Sequence, residues 1–156
     1  MLKGLLSRLG VPGDVVTKLD ELRPGAAEVE GTLRTEHPLE SPRRGRECAA
    51  FHYKARVEST RAIRGSNSGK RTLRSATVYA DGLVLEVEGG EVDLVAPQTE
   101  PFTREDHQAL EAGDFPGFKA KETRIAVDAR VRARGKLRRE GDRWVLTFTG
   151  LVPVED

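Results

Sequence analysis

"FHYKARVESTRAIRGSNSGKRTLRSATVYA", residues 51–80, is the stretch on which the fold turns. Its centre, "RGSNSGKRT" at 64–72, has the look of a phosphate-binding loop. Such a loop carries four residues between its glycines and a Ser or Thr after its lysine, and it leads from a strand into a helix. Here three residues separate Gly65 from Gly69, and Arg71 follows Lys70. The flanks decide the matter. Before the loop, Phe51, Tyr53, Ala55 and Val57 alternate with His52, Lys54, Arg56 and Glu58, the period of a half-buried strand. After it, "RTLRSATVYA" is rich in Thr, Val and Tyr, which suit a strand better than a helix. The stretch therefore reads as a β-hairpin with a long cationic tip, without the strand-loop-helix context that nucleotide phosphates require.

Outward from the hairpin the same period of two recurs in "AEVEGTLRT", "LVLEVE", "EVDLVAP", "TRIAVDARVRARGKLRRE" and "DRWVLTFTGLVPVE", with turns expected at Asp81-Gly82, Gly89-Gly90 and Gly141-Asp142. One interruption, Thr103 to Gly113, has an N-cap residue and acids in its first turn, and reads as a short helix. At the start of the chain, Leu2, Leu5, Leu6 and Leu9 stand at helical spacing, and Val15, Val16, Leu19 and Leu22 suggest a second short helix closed by Pro24 and Gly25. The expected architecture is mainly β: a small antiparallel barrel or sandwich, OB-like, with one inserted short helix and N-terminal helices. Residues 1–25 form the amphipathic helical segment in this reading and residues 26–156 the β domain.

Composition narrows the function. Charged residues make up 33% of the 156 and nearly cancel, leaving a formal charge of +1, so electrostatic recognition must come from local clusters. Cys48 is the single cysteine, which excludes an internal disulfide framework and a multi-cysteine zinc site and points to a reducing, cytoplasmic setting. Lys3 and Arg8 interrupt the leucine-rich start long before about 20 apolar residues accumulate, so it is read neither as a membrane span nor as a signal peptide. It is read as a docked helix, a homo-oligomer contact, or an anchor for a membrane surface or partner.

Two charged faces stand out. A two-residue turn at Gly89-Gly90 would set Glu88 opposite Glu91 and Glu86 opposite Asp93, with Val87 and Val92, Leu85 and Leu94 on the other face. Like charges directly opposite one another call for a cation nearby. Farther on, Arg130, Arg132, Arg134, Lys136 and Arg138 alternate with Val131, Ala133, Gly135 and Leu137, so that a strand sends all five cations outward. Either this stripe lies beside the acidic hairpin and each relieves the other, or it meets an acidic partner or a phosphate backbone, helped by Arg61, Arg64, Lys70, Arg71 and Arg74 of the hairpin tip. Aromatic residues are only 5% of the chain, few for stacking on bases.

Catalytic patterns are missing from the sequence. His37, His52 and His107 show no metal-ligand spacing, and the acidic hairpin lacks a calcium-loop pattern. Cys48 and His52 stand four residues apart, roughly 13 Å along a strand, too far for a thiolate pair. No catalytic residue, metal or cofactor is expected.

In order, Val29 and Gly31; Pro38, Leu39, Ser41, Pro42, Gly45 and Cys48; Phe51 and Tyr53 through Val57 and Glu58; "LVLEVEGGEVDLVAP"; and Glu122, Ile125, Val131 and Gly135 form a recognisable series. From about Ala27 to Gly150 the chain resembles the GIDE domain, also called BAM for "beside a membrane", of membrane-anchored RING-type ubiquitin ligases and prokaryotic relatives. The Ser41-Pro42 turn, Gly45 and Cys48 look structural. The ligases bracket the domain with transmembrane helices and add a cysteine-rich RING; this sequence carries neither, so the resemblance implies recognition rather than ubiquitin transfer. Its Arg- and Ala-rich composition suits a bacterial origin. The expectation is a non-catalytic protein-interaction adaptor, cytoplasmic and peripheral to a membrane surface, which binds through the stripe, the Arg61–Arg74 loop or the N-terminal leucines. The alternative is an OB-like binder of nucleic acid or anionic lipid headgroups.

Overall fold

The computed structural model describes residues 14–58 and 70–154. Along the chain run β1 (Gly25–Arg34), β2 (Leu39–Glu40), β3 (Glu47–Cys48), β4 (Ala50–Glu58), β5 (Lys70–Tyr79), β6 (Val84–Val87), β7 (Gly90–Val95), α1 (Arg104–Glu111), β8 (Lys119–Ile125), β9 (Arg130–Glu140) and β10 (Arg143–Pro153). They assort into two compact units: Met1–His37, Asp81–Gln98 and Val127–Asp156 in the first, Pro38–Ala80 and Thr99–Ala126 in the second.

The first unit is a closed five-stranded barrel in the order β1-β6-β7-β10-β9. Every pairing is antiparallel except that of β7 with β10. Alternation explains its core: Val29, Leu33, Leu85, Val92, Val131 and Leu146 point inward and are fully buried, while the charged residues between them on β1 and β9 face out.

The β6–β7 turn sits one residue earlier than the Gly-Gly dipeptide suggests. Val87 pairs with Gly90, Glu86 with Glu91, Leu85 with Val92 and Val84 with Asp93, so the turn residues are Glu88 and Gly89. Gly89 supplies the positive φ of 98° that the turn needs, and Gly90 joins the strand. The shift changes the opposing partners but preserves parity, so the apolar face stays inside.

A second correction concerns the segment before β1. No helix runs through Val15, Val16, Leu19 and Leu22. Val16 bridges Val29 in parallel, its N–H donating to the Glu28 carbonyl at 2.8 Å, and Lys18 bridges Glu88. Only Leu19–Glu21 coils, as one 3-10 turn, and Leu22 is buried. The β-branched run Val15, Val16 and Thr17 favours extended backbone, and β1 offers it hydrogen bonds that a short helix would forgo. Leu2, Leu5, Leu6 and Leu9, and Arg61 and Arg64 of the hairpin tip, lie outside the described residues.

In the second unit β4 is the centre of a three-stranded sheet, with β5 on one side and β8 on the other, both antiparallel. Lys70 therefore opens a strand, as the flanks of the tip predict. Phe51, Tyr53, Ala55 and Val57 are buried, with His52, Lys54 and Arg56 exposed between them. Tyr53 stacks on Phe102 with ring centroids 4.4 Å apart, a contact worth about 0.5–1.5 kcal/mol beyond the area it buries. The expected helix forms as α1. Thr103 accepts from the Asp106 N–H while the Asp106 carboxylate accepts from the Thr103 N–H, a reciprocal cap that holds the Asp106 carboxyl below its usual range.

Candidate functional site

The cationic stripe exists, and its charges are largely answered from within the barrel. On β9, Arg130 and Arg132 both donate to Glu30 of β1, at 2.9 and 2.8 Å. Arg134 lies 3.5 Å from Glu28, and Arg138 pairs with Glu140 at 3.0 Å and donates to Thr147 at 2.7 Å. The two arginines hold the Glu30 carboxyl below its ordinary value, chiefly through hydrogen bonds from Arg132 and Arg130. Lys136, opposite Ala26 on one side and Thr147 on the other, is exposed and makes no ion pair among the described residues.

The acids of the β6–β7 hairpin find other cations. Arg34 of β1 reaches Glu86 at 3.0 Å and Asp128 at 2.5 Å. Arg143 of β10 makes a two-pronged contact to Asp93, at 2.5 and 2.6 Å, and lies 3.8 Å from Glu91. That fork drives the Asp93 carboxyl down and the Arg143 guanidinium up. Stripe and hairpin are thus each relieved, though by β1 and β10 rather than by one another.

An open groove of about 660 Å³ follows the stripe where β9 lies between β1 and β10. Ala26 and Gly135 lie open along its floor, with Ala27 and Leu137 buried beneath them, and Arg134, Lys136 and Arg138 rim it. None of its lining residues is aromatic. Trp144, the single tryptophan, instead lies under the Arg139 guanidinium, 5.2 Å from ring centre to carbon.

Lys70, Arg71 and Arg74 belong to the second unit. Lys70 and Arg71 are exposed at the start of β5. Arg74 pairs with Glu100 at 3.0 Å and covers the Phe102 ring at 5.5 Å, so it serves the unit's own packing.

Sequence reading passed over the second unit's other cations. "SPRRGR", residues 41–46, forms the β2–β3 turn, locked by fully buried Ser41: its carbonyl accepts from Gly45 N–H at 2.9 Å and its hydroxyl from Arg46 N–H at 3.0 Å. Gly45 sits at φ 64°, as the turn demands. Arg43 N–H donates at 2.7 Å to Oε1 of Glu122, a β8 residue whose side chain is only 1% exposed. The other carboxylate oxygen, Oε2, makes no hydrogen bond and lies 3.9 Å from Arg124 Nε. Facing the turn, α1 presents Arg104, His107, Gln108 and Glu111, a spacing that puts all of them on one helix face. His107 is buried, with Nδ1 2.7 Å from the Tyr53 hydroxyl. Burial pushes the Tyr53 hydroxyl up to about 12, so it keeps its proton. The run of arginines was visible in the sequence, but the helix that meets it stands more than fifty residues away.

Cys48 is fully buried against Phe51 and Tyr53, and desolvation raises its thiol to about 11. His52, exposed, bonds Thr77 at 2.8 Å. Among the described residues no helix is long and apolar enough to cross a membrane. Comparison with protein-family profiles, with curated proteins and with solved structures found no match.

Proposed function

We propose that the chain is a non-catalytic protein-interaction module, GIDE-like in sequence and OB-like in its barrel. The groove on β9 is its docking surface, and an acidic, partly apolar segment of a partner protein is its ligand. The carrying observation is the groove's composition: a floor of small and apolar side chains, with an unpaired Lys136 between two exposed arginines. A partner segment can set an apolar side chain against exposed Ala26 and the neighbouring Gly135 backbone, and a carboxylate against Lys136. Support for the OB-like reading is the strand order with its one parallel pair, β7 with β10, in a closed five-stranded barrel.

A phosphate-backbone ligand is the poorer fit. Arg130 and Arg132 would have to leave Glu30, and the groove offers no ring on which a base could stack. The rest of the adaptor reading, a cytoplasmic module working at a membrane surface, follows from the GIDE resemblance. Contacts through the N-terminal leucines, with a partner or a second copy, belong to the same proposal.

The test is a photo-crosslinking residue at Ala26 in the full chain, with a matched probe at His52 on the second unit. A nuclease-resistant protein adduct at position 26 that Lys136→Glu abolishes is the expected result. An adduct with nucleic acid only, or a protein adduct indifferent to Lys136→Glu, overturns the reading.

A further inference from the structure

We propose that the groove between the β2–β3 turn and α1 is an anion site that takes a phosphate monoester. It is independent of the docking surface on the barrel. Arg43, Arg44 and Arg46 reach it from the turn and Arg104 from the first residue of α1, around an open volume of about 540 Å³.

Three features distinguish this cluster from an ordinary solvated surface. First, its backbone is fixed while its charges are free. Buried Ser41 and the Glu122 carboxylate hold the turn from beneath. Arg43, Arg44 and Arg46, all exposed, have no carboxylate within ion-pair reach among the described residues. On β9, by contrast, nearly every guanidinium already has its acid.

Second, the groove has a built floor. His107 is only 5% exposed and lines it. Nδ1 is engaged by the Tyr53 hydroxyl, which leaves Nε2 for the groove. In the tautomer in which Tyr53 donates to Nδ1, the ring carries its proton on Nε2 and presents a donor to the groove. The nearest acid, Glu111 Oε2, stands 3.7 Å from Nε2, beyond hydrogen-bond distance.

Third, the donors arrive from the turn, the helix and the floor. A planar carboxylate satisfies one such direction well; a tetrahedral dianion accepts from all of them, and guanidinium forks match its oxygen pairs. Glu40, 3.5 Å from Arg104, and Glu111 temper the field without cancelling it, because the turn's three arginines remain unpaired.

The test follows arginine side-chain and His107 ring resonances of the full chain by NMR, at fixed ionic strength. Inorganic phosphate, a phosphoserine peptide, its unphosphorylated form and acetate are titrated in turn. Saturable shifts at His107 and the turn arginines are expected from the two phosphate probes alone. Arg44→Ala with Arg46→Ala, both on exposed residues, should weaken binding by about tenfold or more, as loss of charge-assisted hydrogen bonds requires. Arg138→Ala on the barrel should change nothing. Tighter binding of the phosphopeptide than of inorganic phosphate identifies a modified protein as the source, and equal binding a small phosphate ester; both uphold the site. No saturable shift, an equal response to acetate, or affinity unaltered in the double variant overturns it.

Discussion

Replacing Tyr53 by Phe tests whether the Tyr53–His107 bond organises the second unit. The substitution removes one oxygen and leaves the ring, so the stack on Phe102 at 4.4 Å survives and no sizeable cavity opens. What is lost is the 2.7 Å bond to Nδ1 in a place where neither residue is more than 5% exposed. An imidazole nitrogen stranded there costs about 1–3 kcal/mol, which is about 5- to 150-fold in an opening equilibrium. The buried thiol of Cys48 packs in the same core and reports that opening, because a thiol reagent reaches it only when the unit loosens. Cys48 labelling under native conditions should accelerate by that factor in Tyr53→Phe, while Trp144 fluorescence of the barrel stays as it was. Adding His107→Leu should recover much of the loss, since two apolar partners leave no group unsatisfied. Acceleration under about twofold, or no recovery in the double variant, would refute the assignment of the bond as a buried, stabilising pair.

In the unsubstituted protein, Cys48 should alkylate slowly at pH 8 and much faster with added denaturant, because it is buried and burial lifts its thiol to about 11; fast native labelling counts against the packing described. Gly135→Ala should destabilise the barrel by about 1–3 kcal/mol in urea unfolding followed at Trp144, since a Cβ there strikes the Thr147 carbonyl oxygen and comes within 2.6 Å of Phe148 Cα, both of them backbone. Acid should weaken the barrel in a defined sense. Glu30 and Asp93 titrate below their ordinary 4.5 and 3.8 when folded, so the unfolded chain binds more protons in that range and stability falls as pH drops through it. Glu30→Gln should flatten the pH slope, and an unchanged slope would mean the Arg130 and Arg132 contacts contribute nothing.

Much of the fold was legible because its strands are amphipathic and period two survives tertiary packing. Val131, Ala133 and Leu137 against Arg130, Arg132 and Arg138 show the pattern at its plainest. The hairpin register was not, since Glu88-Gly89 and Gly89-Gly90 are both sound two-residue turns and parity protects the core under either. Helical spacing misled at Val15 to Leu22, where the competing partner, β1, is supplied by the folded barrel. The division into two units was hidden for a related reason. The second unit joins residues 38–80 to 99–126, and no local signal marks a discontinuous unit.

The same distinction governs the candidate sites. A count of cations along "DARVRARGKLRRE" suggests a surface waiting for an acidic partner, yet Glu28 and Glu30 stand opposite Arg134 and Arg132 in register and absorb most of that charge. "SPRRGRE" contains fewer cations and reads as a turn, but buried Glu122 gives a carboxylate oxygen to the Arg43 N–H, and among the described residues Arg43, Arg44 and Arg46 have no counterion. Unpaired charge, rather than charge, marks a place where a ligand gains affinity, because a cation already paired must break that contact to bind. Among the described residues, Lys136 on the barrel and the Arg43–Arg46 turn each set unpaired cations beside a groove, which is why they are the two proposed recognition points, and the two are separable by single charge changes.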